Sequence, residues 1–183
     1  ILVITDDKIR IIEKFDNYRI ISTTINDLEN TIKNNAVLII PILKEAKTII
    51  NPYLLNKYEN YRFTKKNSGK FLNDTRKILE LNRKGIKLDF ETGSLVYSLL
   101  LRVRGLLIIK LMLNNKSYSK ASLFSYLESN NFEKNKIAEL YRIYSSERED
   151  IRIKESNIIT KEDIKKLLSI SEELLKEVKR LLK

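Results

Sequence analysis

A mostly helical α+β fold is predicted for this chain of 183 residues, a small α/β unit followed by an antiparallel helical bundle, and three observations predict it. The stretch Gly93 to Asn114 is apolar on nearly all sides and is interrupted only by Arg102, Arg104 and Lys110. A helix of that character has to be covered by other helices. Amphipathic segments flank it at Phe71 to Lys84, Ser119 to Glu128, Asn135 to Glu147 and Thr160 to Lys183. Short β-branched runs alternate with helical patterns in the first third, and strand signals stop from Phe71 onward. A membrane span is the rival reading of the central stretch, which is about 30 Å long at 1.5 Å per residue. Its cations fall in the middle, where charge at membrane depth is costly, so a bundle core and no membrane is the expectation.

The elements follow in order. Ile1 to Thr5 is a continuous apolar run closed by Asp6-Asp7 and reads as a buried strand. Asp7 to Phe15, with isoleucines at 9, 11 and 12 among charges, reads as a short helix, and Tyr18 to Thr23 as a second strand. Thr24 stands three residues before Asp27, the spacing of a capping box, and Ile25, Leu28 and Ile32 continue at helical period to about Asn34. Ala36 to Ala46 is read as helix with Pro41 near the start of its second part, because proline suits neither a helix interior nor a central strand. Lys47 to Asn51 reads as a short edge strand, and Pro52 opens a helix to about Glu59. Tyr61 to Lys70 is polar, basic and without period, so 61–70 reads as a linker between an α/β unit over 1–60 and a bundle over 71–183. Phe71, Thr75, Ile78 and Leu79 start a helix that Gly85 can end, and Thr92 or Ser94 can cap the central one. Ile137, Leu140, Tyr141 and Tyr144 share a face that Arg148 continues inward or toward a groove. Thr160 and Asp163 repeat the capping-box spacing ahead of the apolar stripe Ile164 to Leu182.

Composition narrows the chemistry. There is no cysteine and no histidine, which removes thiolate chemistry, the usual general base and the commonest metal ligand together. A reducing, cytoplasmic location is expected. The chain opens on Ile1 without a charged leader and without methionine, so either its start was removed or it is a fragment. The net charge is +11, and residues 61–120 carry nearly all of it, with 14 basic side chains against 4 acidic. A localised positive field attracts polyanions such as nucleic acid, while lysine-rich surfaces also serve solubility alone.

Arg62, Lys65, Lys66 and Lys70, with Tyr61, Phe63 and Phe71 interleaved, have the make-up of a single-strand or RNA contact surface; a solvated linker with aromatics stapling a helix is the other reading. Arg102 and Arg104 lie about 200° apart around a helix and cannot serve one site together, whereas Arg102 and Lys110 share a side with Leu106 between them. Half-buried arginines here are expected to pair with Glu147, Glu149 or Asp150. Asp6-Asp7 after a strand could hold a divalent cation, and Asp7 as a helix cap is the more economical reading. The four glycines are scattered, so no phosphate-cradling loop exists.

Two stretches resemble a known pairing of folds. Ser22 to Asn35 followed by Leu38 to Asn51, with its Ile-Leu-Lys-Glu-Ala-Lys turn, resembles the end of the minimal nucleotidyltransferase fold of the polymerase-β type. Gly93 to Lys183, including Tyr141-Arg142-Ile143-Tyr144 and Arg148-Glu149-Asp150, resembles the HEPN-type helical domain that often follows it. The resemblance implies a nucleotide- or RNA-binding part of such a protein, catalytically incomplete as it stands, with Arg62, Lys65, Lys66, Lys70, Arg102, Arg142 and Arg148 as contact residues and a homodimer as the assembly. The family's Gly-Ser and paired aspartates, which would bring Mg2+ and nucleotidyl transfer, stand ahead of a strand resembling Ile1 to Thr5. No such pattern occurs in this sequence, so no cofactor is expected in the chain itself. Cleavage of RNA by an HEPN Arg-His pair is not expected either, since Arg142 has Arg148 and Arg148 has Lys154 where the histidine would stand. The alternative is a non-enzymatic interaction module, an antitoxin-like or scaffold subunit whose bundle packs on a protein partner.

Overall fold

The computed structural model describes residues 1–6, 12–15, 18–47, 49, 51, 53–149, 151 and 158–183. Three strands come first: β1 (Leu2–Thr5), β2 (Ile12–Phe15) and β3 (Tyr18–Thr24). Seven helices follow among the described residues: α1 (Ile25–Glu45), α2 (Tyr53–Glu59), α3 (Lys65–Lys87), α4 (Thr92–Leu113), α5 (Lys120–Ser129), α6 (Lys134–Glu149) and α7 (Lys161–Leu181). The fold is mostly helical with a small mixed sheet. In that sheet β3 is central, parallel to β1 with Leu2 opposite Ile21, and antiparallel to β2 with Ile12 opposite Ile21.

The short helix expected over Asp7 to Phe15 is corrected at its end, where residues 12–15 form β2. Pairing with β3 a few residues later overrides the weak helical pattern of the isoleucines. Asp7 itself, with its proposed capping role, lies outside the described residues. The edge strand expected at Lys47 to Asn51 does not form at the described residues 47, 49 and 51. Asn51 instead takes the left-handed conformation, φ 54°, which asparagine tolerates.

α1 contains both helices read from the sequence, joined at a kink where Asn35 leaves helical geometry at φ −151°. Pro41 sits inside the second segment. Thr24 caps the start, its hydroxyl accepting the Asp27 N–H at 3.0 Å. Leu28, Ile32, Val37, Ile40 and Leu43 are buried as α1 packs on α3 and α4.

The basic stretch expected as a linker is non-helical only over Tyr61 to Thr64. Thr64 forms a capping box with Asn67, and Lys65 to Lys70 are the first turns of α3. Phe63 is buried, which anchors the cap to the core. At the other end Gly85 does not stop α3. It is buried within the helix, where a Cβ would meet Phe90 at 3.0 Å and Leu95 at 3.1 Å, so its smallness serves packing. The helix ends at Leu88, with Asp89 at φ 54° and the Phe90 N–H bonded to the Gly85 carbonyl at 2.9 Å. Asn115 after α4 and Asn131 after α5 close their helices in the same left-handed way, at φ 56° and 62°.

α4 is the covered rod that its composition requires. Val96, Leu99, Val103, Leu106 and Ile109 are completely buried, and α7, α6, α3 and α1 surround it. Neither Thr92 nor Ser94 caps it; the cap position is Glu91, without a side-chain bond. α3 runs antiparallel to α4, as Phe71 lies on Gly105, Asn82 donates to Ser98 at 2.8 Å and Gly85 meets Leu95. α7, however, runs parallel to α4, because Lys161 pairs with Asp89 just ahead of α4 while Lys110 pairs with Glu177 near the far ends of both. The bundle is therefore not antiparallel throughout. Among the described residues no helix is long and apolar enough to cross a membrane.

Candidate nucleic-acid interface

The chain's positive excess collects on one helix. Successive residues of α3 turn by about 100°, and its buried face is made of Ser68, Phe71, Leu72, Thr75, Leu79, Asn82 and Ile86. The opposite face and one flank each carry a row of cations. Lys66, Lys70, Lys77 and Lys84, spaced four, seven and seven residues apart, run in one line for about 27 Å. Lys65, Arg76, Arg83 and Lys87 form a second row beside it. Asp74 and Glu80 are the acidic residues of the helix.

Arg83 is tied to Glu172 of α7. Among the described residues the other seven cations have no carboxylate within ion-pair distance. All are exposed. Like charges in two rows repel one another, and that repulsion is relieved by a polyanion lying along the face.

The aromatic half of the expected surface is not there. Phe63 and Phe71 are buried at 4% and 8% exposure. Tyr61 is half-buried with its ring edge-on to Phe63 at 5.8 Å, and burial pushes its hydroxyl pKa up. Their spacing among lysines is the packing face of the α3 start, so the surface offers phosphate contacts rather than stacking platforms.

The remaining residues named from the sequence are dispersed. Arg62, Lys65, Lys66 and Lys70 are exposed at and before the first turns of α3. Arg102 is half-buried under that same end of α3: its guanidinium stands 5.8 Å from the Phe71 ring centroid and its Nε is buried without a hydrogen-bond partner. Burial pulls its pKa down, opposed by the charge of Asp74. Arg142, on α6, is gripped in a two-pronged bond by Glu139 at 2.7 and 2.6 Å. Arg148 is exposed beside Glu149 at 3.1 Å rather than turned inward. α3 packs on α1, α4 and α7, and α6 on α4 and α5, so the two helices share α4 as a neighbour while Arg142 and Arg148 sit on a different helix from the α3 cations.

The carboxylates expected to pair with Arg102 and Arg104 serve elsewhere. Glu149 faces Arg148, and Glu147 lies over Gly93, where a Cβ would come within 2.6 Å of its Oε1. Asp150 lies outside the described residues. Lys110, expected on the side of Arg102, pairs with Glu177 of α7 at 2.8 Å, whereas Arg102 lies against Phe71 of α3. No group of three or more acidic, histidine or cysteine side chains that could hold a metal exists among the described residues.

No family model, curated protein or solved structure matches this chain. Its chemistry is thus read from its own residues. Arg76, Lys77, Lys84 and Lys87 escape a reading by local clusters, because they are spread over three turns. The signal that finds Lys77 and Lys84 is the four-seven-seven spacing from Lys66, and Arg76 and Lys87 fall on the second row, eleven residues apart; both are helix lines rather than motifs.

Proposed function

We propose that this chain is the nucleotide- or RNA-binding part of a nucleotidyltransferase/HEPN-like protein and that the outer face of α3 is its nucleic-acid surface. The observation that carries this is the line Lys66, Lys70, Lys77 and Lys84, exposed and without a carboxylate in ion-pair distance among the described residues. Lysines along one helix neutralise successive phosphates and release the counterions condensed on them. With the stacking aromatics buried, recognition rests on backbone charge, so binding is strongly salt-dependent and weakly dependent on base sequence. Under this reading metal-dependent nucleotidyl transfer needs a Gly-Ser followed by an Asp-x-Asp pair, which this sequence does not contain, and a homodimer is the proposed assembly.

Titration of single-stranded RNA at several salt concentrations measures the surface directly. Each phosphate contact contributes about −0.7 to the slope of log K against log salt, so the four-lysine line gives a slope near −3. Lys66→Glu/Lys77→Glu/Lys84→Glu should flatten it by about 2 while circular dichroism stays unchanged. An unaltered slope in that variant removes α3 from the interface. A second reading, a protein-interaction module, is favoured by Leu81, Leu88 and Phe90, all more than half exposed at the far end of the same helix. A wild-type slope that is already flat would favour it.

A further inference from the structure

A second cationic site lies away from the α3 surface, where α4, α5 and α6 meet. Arg104 of α4 is half-buried, donates from Nη1 to the Tyr144 hydroxyl at 3.1 Å, and has its guanidinium 5.6 Å from the Tyr118 ring centroid. Lys120, in the first turn of α5, places its ammonium 4.1 Å from the centroid of Tyr141 and 5.2 Å from that of Phe124. Tyr141 and Phe124 meet edge to face at 5.4 Å, and Tyr141 and Tyr144 are 6.0 Å apart. Both cations therefore border one connected group of rings, Arg104 through Tyr144 and Lys120 through Tyr141 and Phe124.

The partners of these cations are unusual. Half-buried arginines ordinarily face a carboxylate, yet neither Arg104 nor Lys120 has one within ion-pair distance among the described residues. Tyrosines take that place, and the Tyr118 hydroxyl, pushed up to about 12 mainly by burial, stays a neutral donor at physiological pH. Arg104 is half-buried rather than enclosed, and its guanidinium interacts with the Tyr118 hydroxyl as well as with that of Tyr144. Tyr118, Phe124 and Tyr141 are likewise partly exposed. Two cations, neutral hydroxyls and partly exposed rings that already hold cations on their faces are the complement of an anion joined to a flat aromatic group.

We propose that this cluster binds a nucleoside phosphate, its phosphate on Arg104 and Lys120 and its base against the Tyr141 and Phe124 rings. Arg104 contributes fixed, forked donors already held in place by Tyr144. Lys120, exposed on a flexible stem, shifts from the ring faces to the phosphate as the base takes its place. The site uses none of the α3 residues and does not depend on the reading of that face.

Isothermal titration calorimetry with adenosine monophosphate, inorganic phosphate and adenosine tests it at low salt. Saturable binding of adenosine monophosphate, weakened about tenfold or more in Lys120→Gln and unchanged in Lys77→Gln on α3, is the expected result. Lys120 is an exposed side chain, so its variant stays folded and its affinity decides the matter; Arg104→Gln, checked by circular dichroism, should lose binding further. Absence of saturation at millimolar ligand, or equal affinity in Lys120→Gln, overturns the proposal. So does inorganic phosphate or adenosine binding as tightly as the nucleotide, since the first makes the rings irrelevant and the second the cations. Equal weakening in Lys77→Gln would move the nucleotide to α3 and also overturn it.

Discussion

Gly105 and Phe71 show how one side chain sets the distance between two helices. The Phe71 ring rests on the backbone of α4 at Gly105, so a Cβ there would lie well inside the ring's van der Waals envelope. Phe71 is itself buried, between α3 and α4 with Arg102 beyond it, and cannot swing away. Gly105→Ala is therefore expected to lower stability by about 1–3 kcal/mol, although alanine is the better helix former, and a denaturant midpoint at or above that of the parent would show that the ring yields. Gly93 differs: the group over it is the end of a flexible glutamate, which can move. At the start of α7, Asp163 joins a capping box with Thr160 to a bidentate contact with Lys136 at 2.8 and 2.9 Å. Burial works against its charge, but the bonds from Lys136 and Thr160 outweigh it and hold the carboxyl below its ordinary value. A depressed folded value means that its stabilisation is complete above the ordinary aspartate range, near about pH 4, and is lost as pH falls through the folded value. Asp163→Asn should cost about 1–2 kcal/mol at neutral pH and less at low pH, where the parent is protonated as well; equal losses at both, read by thermal melts, would mean the charge contributes nothing.

Among the elements, α4 and α3 were legible for opposite reasons. α4 is apolar around its whole circumference, and four helices cover it. Leu106, completely buried in its middle, makes this testable: Leu106→Asp should cost about 3–5 kcal/mol as an unpaired buried charge, and a parent-like melting temperature would place that position at the surface. α3 divides cleanly into a packed face and a cationic one, but its first turns were hidden because Tyr61 to Lys70 lacks an apolar period. The Thr64 and Asn67 pair that caps it carries no charge to advertise a capping box, yet its two bonds close at 2.7 and 3.3 Å. The apolar anchors there, Phe63 and Phe71, looked like ligand-facing aromatics when only their spacing among lysines was known.

For the molecule as a whole, the arrangement separates charge by face. The cations of α4 turn toward rings and toward α7, and the larger share of the excess positive charge is carried by α3. Arg102 and Arg104, about 200° apart on one helix, end on different neighbours, Phe71 of α3 and Tyr144 of α6, as their angular separation demands. That division yields two cationic surfaces of unlike chemistry: one broad and dominated by a line of lysines, the other compact and ring-lined.

Local and periodic properties were settled by the sequence alone: the covered central helix, the strands at Leu2 and Tyr18, the caps at Thr24 and Thr160, the apolar stripe of α7 and the position of the charge excess. They follow from period and from hydrogen bonds spanning three or four residues, which need no knowledge of the rest of the chain. Only the tertiary structure decided which partner each half-buried cation would find, that residues 12–15 pair with β3, that α7 lies parallel to α4, and that the aromatics near Lys65 face inward. Those outcomes depend on contacts between residues far apart in the chain, where the burial of one side chain is fixed by whatever element happens to cover it.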